Sequence, residues 1–224
     1  VIRTEADAAA KAAQTGEAVE IPDQTTPTTQ TFANPDGSLT AKLSNAPVRV
    51  RRDGAWRDID PTLEFRADGS VGPKATLSDV SLSGGGVSAL AKVGLSKGSL
   101  QLKAPWNLPR PTLDGAKATY ADVQPGVDIV VEATTEGVSY NLVVKSREAA
   151  TNPTLRSIHF PVSASGLSIR ANRPGGPAYV DKDGRLAVTA GDGVMWDSSQ
   201  SAPQQKTATC QRRSNSDPSG PGEC

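Results

Sequence analysis

Aromatic side chains are scarce in this sequence: three Trp, three Tyr and three Phe in 224 residues. A hydrophobic core must therefore come from Val, Leu, Ile and Ala. The hydrophobic fraction of 36% reaches the ordinary range only when the 21 glycines are counted with it. Histidine occurs once, at His159, and methionine once, at Met195. The tail that carries both cysteines has no histidine and no Cys-x-x-Cys, so a four-ligand zinc site there lacks donors. No apolar run approaches the ~18 residues of a membrane-spanning helix. Neither charge sign is in excess, with 24 basic against 24 acidic side chains, so no overall field holds the chain on nucleic acid or an anionic membrane. No Gly-x-Ser-x-Gly elbow offers a hydrolase nucleophile. No long helical pattern separates two strands, which removes the doubly wound nucleotide-binding folds.

Both cysteines, Cys210 and Cys224, fall near the end of the sequence. In a secreted chain they read most simply as a disulfide, closing a loop of ~15 residues and contributing roughly 3 kcal/mol where the tail is ordered. Val1 is not an initiator, and the chain reads as a processed or excised piece.

What the sequence does hold is turn chemistry. Residues 3–15 read as a short helix, with Thr4 as cap, Glu5 and Asp7 in the first turn, an alanine run, and Gly16 as stop. Alanine gives propensity but little area to bury, so residues 1–16 are expected as a frayed helical leader. From Val19 the period becomes two. Six Asp-Gly dipeptides follow, at 36–37, 53–54, 68–69, 114–115, 183–184 and 192–193, most of them between strand-like runs. Strands are expected at 29–33, 38–43, 48–51, 55–59, 62–66, 90–95, 99–102, 127–134, 138–145, 155–162, 167–171, 178–180 and 185–189. Arg147–Ala150 adds one helical turn, ended by Asn152-Pro153.

Short strands at this spacing predict an all-β fold: one or more antiparallel β-sandwiches built from hairpins. The β region is expected over 17–197, either as one sandwich or as two subdomains, 17–105 and 112–197. Ser83-Gly84-Gly85-Gly86 reads as a flexible joint or a bulged turn, and Pro105–Pro111 as a stiff connector. Residues 198–224 turn to Ser, Gln, Thr, Pro and Gly, the composition of a disordered tail or linker.

Chemistry is thin. Alternation puts His159 opposite Ile158, Phe160 and Val162, as an ordinary surface histidine. The same period places Trp56, Asp58 and Asp60 on one strand face, where an aromatic ring beside two acids can hold a sugar. Trp106 and Asn107 offer a second such pairing. Two acids on one strand do not flank a scissile glycosidic bond, which needs roughly 5–10 Å across the substrate. Asp181-Lys182-Asp183-Gly184 opens like a calcium loop, but Asp192 stands where a bidentate Glu is required. A looser loop-calcium site stays open; no other cofactor or metal is expected. Asp128 reads as a strand-edge solvating group. Arg49, Arg51 and Arg52 read as a solvated face, and the three tryptophans as buried anchors.

Taken together, the segments have a family likeness. Ala46–Val50 running into Gly54-Ala55-Trp56-Arg57-Asp58-Ile59-Asp60-Pro61-Thr62-Leu63 resembles the W-x-x-[IV]-D-x-T-L hairpin of a β-rich module in very large secreted Gram-positive proteins. Tyr120–Asp128, with Glu136-Gly137-Val138 and Leu142–Lys145, is similar to that module's second signature. Gly193–Asp197 is similar to its closing motif. In actinobacterial proteins such modules precede laminin-G-like domains, DNRLRE-type domains or RHS/YD-repeat shells. The resemblance implies a non-catalytic, secreted or surface structural or adhesion module, toxin- or delivery-associated in some settings. Its partners would be downstream domains of the same polypeptide, or cell-surface components. The Cys-containing tail departs from that pattern. Carbohydrate binding through Trp56, Asp58, Asp60, Trp106 and Asn107 is the alternative expectation, ahead of a glycoside hydrolase or an inhibitor loop at 210–224. No nucleic-acid partner and no membrane insertion are expected.

Overall fold

Thr4 starts the structure as a helix cap. Its hydroxyl accepts from the Asp7 N–H, the Asp7 carboxylate accepts from the Thr4 N–H, and α1 runs over Glu5–Thr15 to a left-handed Gly16. The computed structural model describes residues 4–171, 176–191 and 193–197. The helix is not a frayed leader. Ala8 and Ala12 are fully buried against Ile21 and Ala33, so α1 is docked on a three-stranded antiparallel sheet of β1 (Val19–Glu20), β2 (Thr29–Ala33) and β3 (Leu39–Leu43), in that order. Small alanines let the helix approach closely where they could not by themselves bury much area.

A hairpin of β4 (Arg49–Arg52) and β5 (Ala55–Asp58) follows, closed by a two-residue turn in which Asp53 and Gly54 both have positive φ, 50° and 79°. That is the turn Asp-Gly favours between twisted strands. Five-residue turns recur at Asn34–Ser38, Arg66–Ser70 and Asp181–Arg185. In each, the first N–H donates to the fifth carbonyl at 2.8–2.9 Å, and the glycine N–H returns to the first carbonyl at 3.0 Å. Gly37, Gly69 and Gly184 take φ of 82°, 82° and 78°. The sixth Asp-Gly involves Asp192, outside the described residues.

The main body is a sandwich. One sheet contains β6 (Asp60–Phe65), β7 (Val71–Ala75), β8 (Asp79–Leu82), β9 (Ala91–Leu95) and β10 (Gly98–Leu102). The facing sheet is β11 (Thr112–Asp114), β12 (Lys117–Gln124), β13 (Val127–Ala133) and β14 (Val138–Val144), in sequence order. After α2 (Arg147–Ala150), β15 (Val162–Ser165) returns to the first sheet and completes the order β15-β10-β9-β8-β7-β6. A last sheet holds β16 (Ser168–Ala171), β17 (Pro177–Val180) and β18 (Leu186–Thr189).

One buried cluster joins the two large sheets: Leu63, Val71, Val80 and Leu82 on one side, Tyr120, Val127, Ile129 and Val131 on the other. β13 alternates strictly between buried and half-buried positions, as a strand covered on one face must. Each large apolar side chain taken out of water contributes roughly 1.5–3 kcal/mol. The cluster draws on both sides of Pro105–Pro111, so that connector runs between two layers of one core. Leu108 within it is buried and exchanges backbone hydrogen bonds with Gly86, at 2.7 and 3.0 Å. The glycine run is thus a bulged turn, with Gly85 and Gly86 at φ 119° and 83°.

Three further expectations are corrected. Residues 155–161 form no strand; Pro153–Leu155 is a single 3-10 turn capped by Asn152, and pairing begins only at Val162. Pro153 and Pro161 lack the N–H a ladder needs. Strands β7, β8, β11 and β12 exist where no strand was expected. β7 carries Gly72 and Pro73, poor strand formers by propensity, yet Val71, Gly72 and Pro73 are buried against the core sheet. Trp196 is 38% exposed, in a segment with no strand partner, and is no buried anchor.

Candidate functional site

The proposed platform of Trp56, Asp58 and Asp60 is interrupted at Ile59. There the chain leaves the β4–β5 hairpin and enters the large sheet, so Asp60 belongs to a different sheet from Trp56 and Asp58. Trp56 is half-buried, and its Nε1 donates to the Pro22 carbonyl at 3.0 Å. Asp58 is exposed and pairs with Arg49 Nη1 at 3.0 Å. Asp60 accepts from the Thr62 N–H at 3.0 Å, with Lys74 Nζ at 3.9 Å. Those hydrogen bonds from Thr62 hold its carboxyl below the usual carboxylate range.

The arginine cluster divides the same way. Arg49 is mostly buried and bonds Glu20 as well as Asp58, so it latches the first sheet to the hairpin instead of forming a solvated face. Arg52 donates to the Thr76 carbonyl at 2.9 Å, and Arg51 is exposed.

Trp106 and Asn107 sit at the rim of the sandwich. Asn107 is exposed. Trp106 packs on the core and meets Phe160 edge to face, with ring centroids 6.4 Å apart at 84°. Phe160 in turn contacts Tyr140 at 5.1 Å. Three of the nine aromatic residues therefore gather at one place. Sequence reasoning missed the grouping because Phe160 and Tyr140 lie in segments joined only by tertiary packing. Nearby in sequence, His159 is exposed and shares a 3.3 Å contact with the Ser157 hydroxyl.

Two carboxylate pairs each enclose a lysine. Asp181, nearly buried, accepts from the Asp183 and Arg185 N–H groups at 2.9 Å, and its other oxygen takes Lys97 Nζ at 2.8 Å. Asp183 takes the same ammonium at 3.2 Å. The cation between these acids is therefore the Lys97 ammonium, which holds the Asp181 carboxyl down to about 2. Among the described residues, no three His, Cys, Asp or Glu side chains are grouped to hold a metal ion.

The second pair is Asp122 and Asp128 around Lys145 Nζ, at 2.9 and 2.8 Å. Asp122 sits at φ 51° in a bulge of β12, and its N–H donates to the Asp128 carboxylate at 2.7 Å. Asp128 is thus no strand-edge solvating group: it secures a bulge in an interior strand. Its register, opposite Val143, puts Lys145 at the diagonal position on the same face, a signal the hairpin pattern already contained.

A recess of about 520 Å³ is lined by Arg52, Leu77, Ser78, Asp79, Gly94, Leu95 and Ser96. No helix among the described residues is long and apolar enough to cross a membrane. Cys210, Cys224 and the 198–224 tail lie outside the described residues. Comparison of the chain with protein-family profiles, with curated proteins and with solved structures returned no significant match.

Proposed function

We propose that this chain is a non-catalytic, β-rich structural or adhesion module of a large secreted or surface protein, of the actinobacterial kind its hairpin motifs resemble. One observation carries the reading: the paired carboxylates among the described residues are occupied by lysines, arginines and turn amides. The shifts that accompany these contacts run downward, at Asp36, Asp60, Asp68, Asp122 and Asp181. A general acid for glycoside cleavage needs the opposite, a carboxyl held protonated near neutral pH. These acids serve turns and sheet junctions.

The test is fractionation of the producing cells with an antibody to the chain, alongside turnover assays on a polysaccharide panel. Recovery from the medium or cell surface with no turnover is expected; a cytosolic protein, or hydrolysis lost on one Asp→Asn change, would overturn the reading.

Carbohydrate binding is a second reading, favoured by the Trp106–Phe160–Tyr140 cluster beside exposed Asn107. Aromatic faces stack on sugar CH groups, and an amide supplies hydroxyl hydrogen bonds. A glycan array decides it: binding lost in Trp106→Ala supports the reading, and silence across cell-wall and plant glycans retires it.

A further inference from the structure

The outer edge of β3 has no strand partner among the described residues. β3 is the last strand of the first sheet, and all five of its residues are exposed. Its register with β2 fixes which backbone groups face outward. The Asn34 N–H donates to the Ser38 carbonyl and the Ser44 N–H to the Thr28 carbonyl. Counting by two between these ends, Thr40 and Lys42 bond inward to Phe32 and Gln30. Leu39, Ala41 and Leu43 therefore turn their N–H and C=O groups to the open edge. Thr31 confirms the phase, since its carbonyl accepts from Ile21 on the opposite side.

The same three residues carry the strand's apolar side chains. They share a face with their β2 partners Ala33, Thr31 and Thr29, which is the face covered by α1 where Ala33 packs on Ala8 and Ala12. The helix does not cover this stripe: Leu39 is 49% and Leu43 81% exposed. Outward backbone groups and uncovered apolar side chains thus coincide, residue for residue, on one edge.

We propose that β3 pairs antiparallel with β3 of a second copy of this chain, about a two-fold axis at Ala41. In that register Ala41 faces its own copy, and Leu39 and Leu43 face the copy's Leu43 and Leu39. The three outward residues of each strand form the hydrogen-bonded pairs, giving six backbone hydrogen bonds. Charge selects this register. Lys42 lies opposite Thr40 of the copy, whereas an axis at Lys42 would set two ammonium groups face to face, and an axis at Thr40 would use fewer outward groups. Lys42 is held on the other face, its Nζ 4.8 Å from the Phe32 ring centre. The pairing is isologous, so it consumes both free edges and closes at two chains. A charged residue on an edge strand ordinarily discourages indiscriminate pairing; here it leaves one register open. A five-residue strand pair is smaller than the roughly 1,200 Å² of a stable complex, so the association belongs to the weak class.

Sedimentation equilibrium of the full chain, from about 10 μM to about 1 mM, tests the proposal. The mass should rise from 23.2 kDa toward twice that value and stop there. Leu43→Lys, at a position too exposed to matter for folding, should weaken the dimer about tenfold or more. Ala41→Pro removes an outward N–H while sparing the β2–β3 ladder, and should abolish it, with unchanged far-UV dichroism as the control. With Cys210 and Cys224 replaced by Ser, Ala41→Cys should form an oxidised dimer faster than Val87→Cys, a fully exposed control. A monomer at every concentration, growth past two chains, a dimer indifferent to both Leu43→Lys and Ala41→Pro, or equal cross-linking at 41 and 87 would each overturn it. So would capture of an extended peptide on β3 in place of the second copy.

Discussion

The Tyr120 hydroxyl donates to the Ser83 carbonyl across 2.7 Å, with the tyrosine wholly buried between two sheets. Tyr120 belongs to β12 and Ser83 follows β8, so the bond joins the layers at the glycine-rich bulge. Burial pushes the phenol pKa upward, which keeps it neutral and a donor.

Tyr120→Phe keeps the ring and removes the donor. The Ser83 carbonyl then loses this bond inside the core, and stability to urea should fall by about 1–3 kcal/mol. An unchanged midpoint would mean that water replaces the hydroxyl.

Two glycines are expected to fail alanine substitution for different reasons. Gly54 has open space around it but sits at φ 79°, so Gly54→Ala should cost about 1–2 kcal/mol through backbone strain. At Gly84 a methyl group would lie 1.8 Å from the Gly69 carbonyl oxygen, backbone against backbone. Gly84→Ala should cost about 3 kcal/mol or more. Equal losses in thermal unfolding would contradict this ordering.

Acid should destabilise the fold over a defined window. Asp181 titrates near 2 in the folded chain, against an ordinary value of 3.8, because Lys97 and the turn amides favour its charged form. A depressed folded pKa gives stability present above the unfolded value and lost as pH falls through the folded one. The melting temperature should therefore drop between pH 3.8 and 2, and Asp181→Asn should flatten that drop. At the alkaline end the sign reverses. Lys97 and Lys145 are raised above 10.5 by their aspartates, so their contribution is complete below 10.5 and fades as pH climbs through the folded values.

Arg49 should behave as a latch. Arg49→Leu breaks its bonds to Glu20 and Asp58, with an expected loss of about 1.5–3 kcal/mol. Limited proteolysis should then cut the N-terminal sheet sooner than the sandwich. Trp56→Phe, which removes the bond to the Pro22 carbonyl and part of the half-buried ring, should shift the pattern in the same direction by less.

Much of the local structure was legible because turns are local chemistry. The Thr4 cap, the Gly16 stop, the Asp53-Gly54 hairpin and the long β13–β14 pair all follow from residues within a few positions of one another. The candidate platform at Trp56, Asp58 and Asp60 rests on a period of two that presumes one continuous strand, whereas the chain changes sheets at Ile59. β7 was invisible because Gly72 and Pro73 argue against a strand by propensity, while burial against the core decides for one. Phe160 was assigned to a strand face that does not exist; its ring instead completes a cluster with Trp106 and Tyr140.

By itself the sequence determined the class of fold, since Asp-Gly corners and alternating aliphatics leave antiparallel hairpins as the economical way to satisfy the backbone. Only the tertiary structure decided what each charge is for. Lys97 and Asp181 stand 84 residues apart, and no periodicity links them. They meet because two sheets pack, and the energy of that meeting depends on distance and solvent exclusion, neither of which is written in the order of the residues.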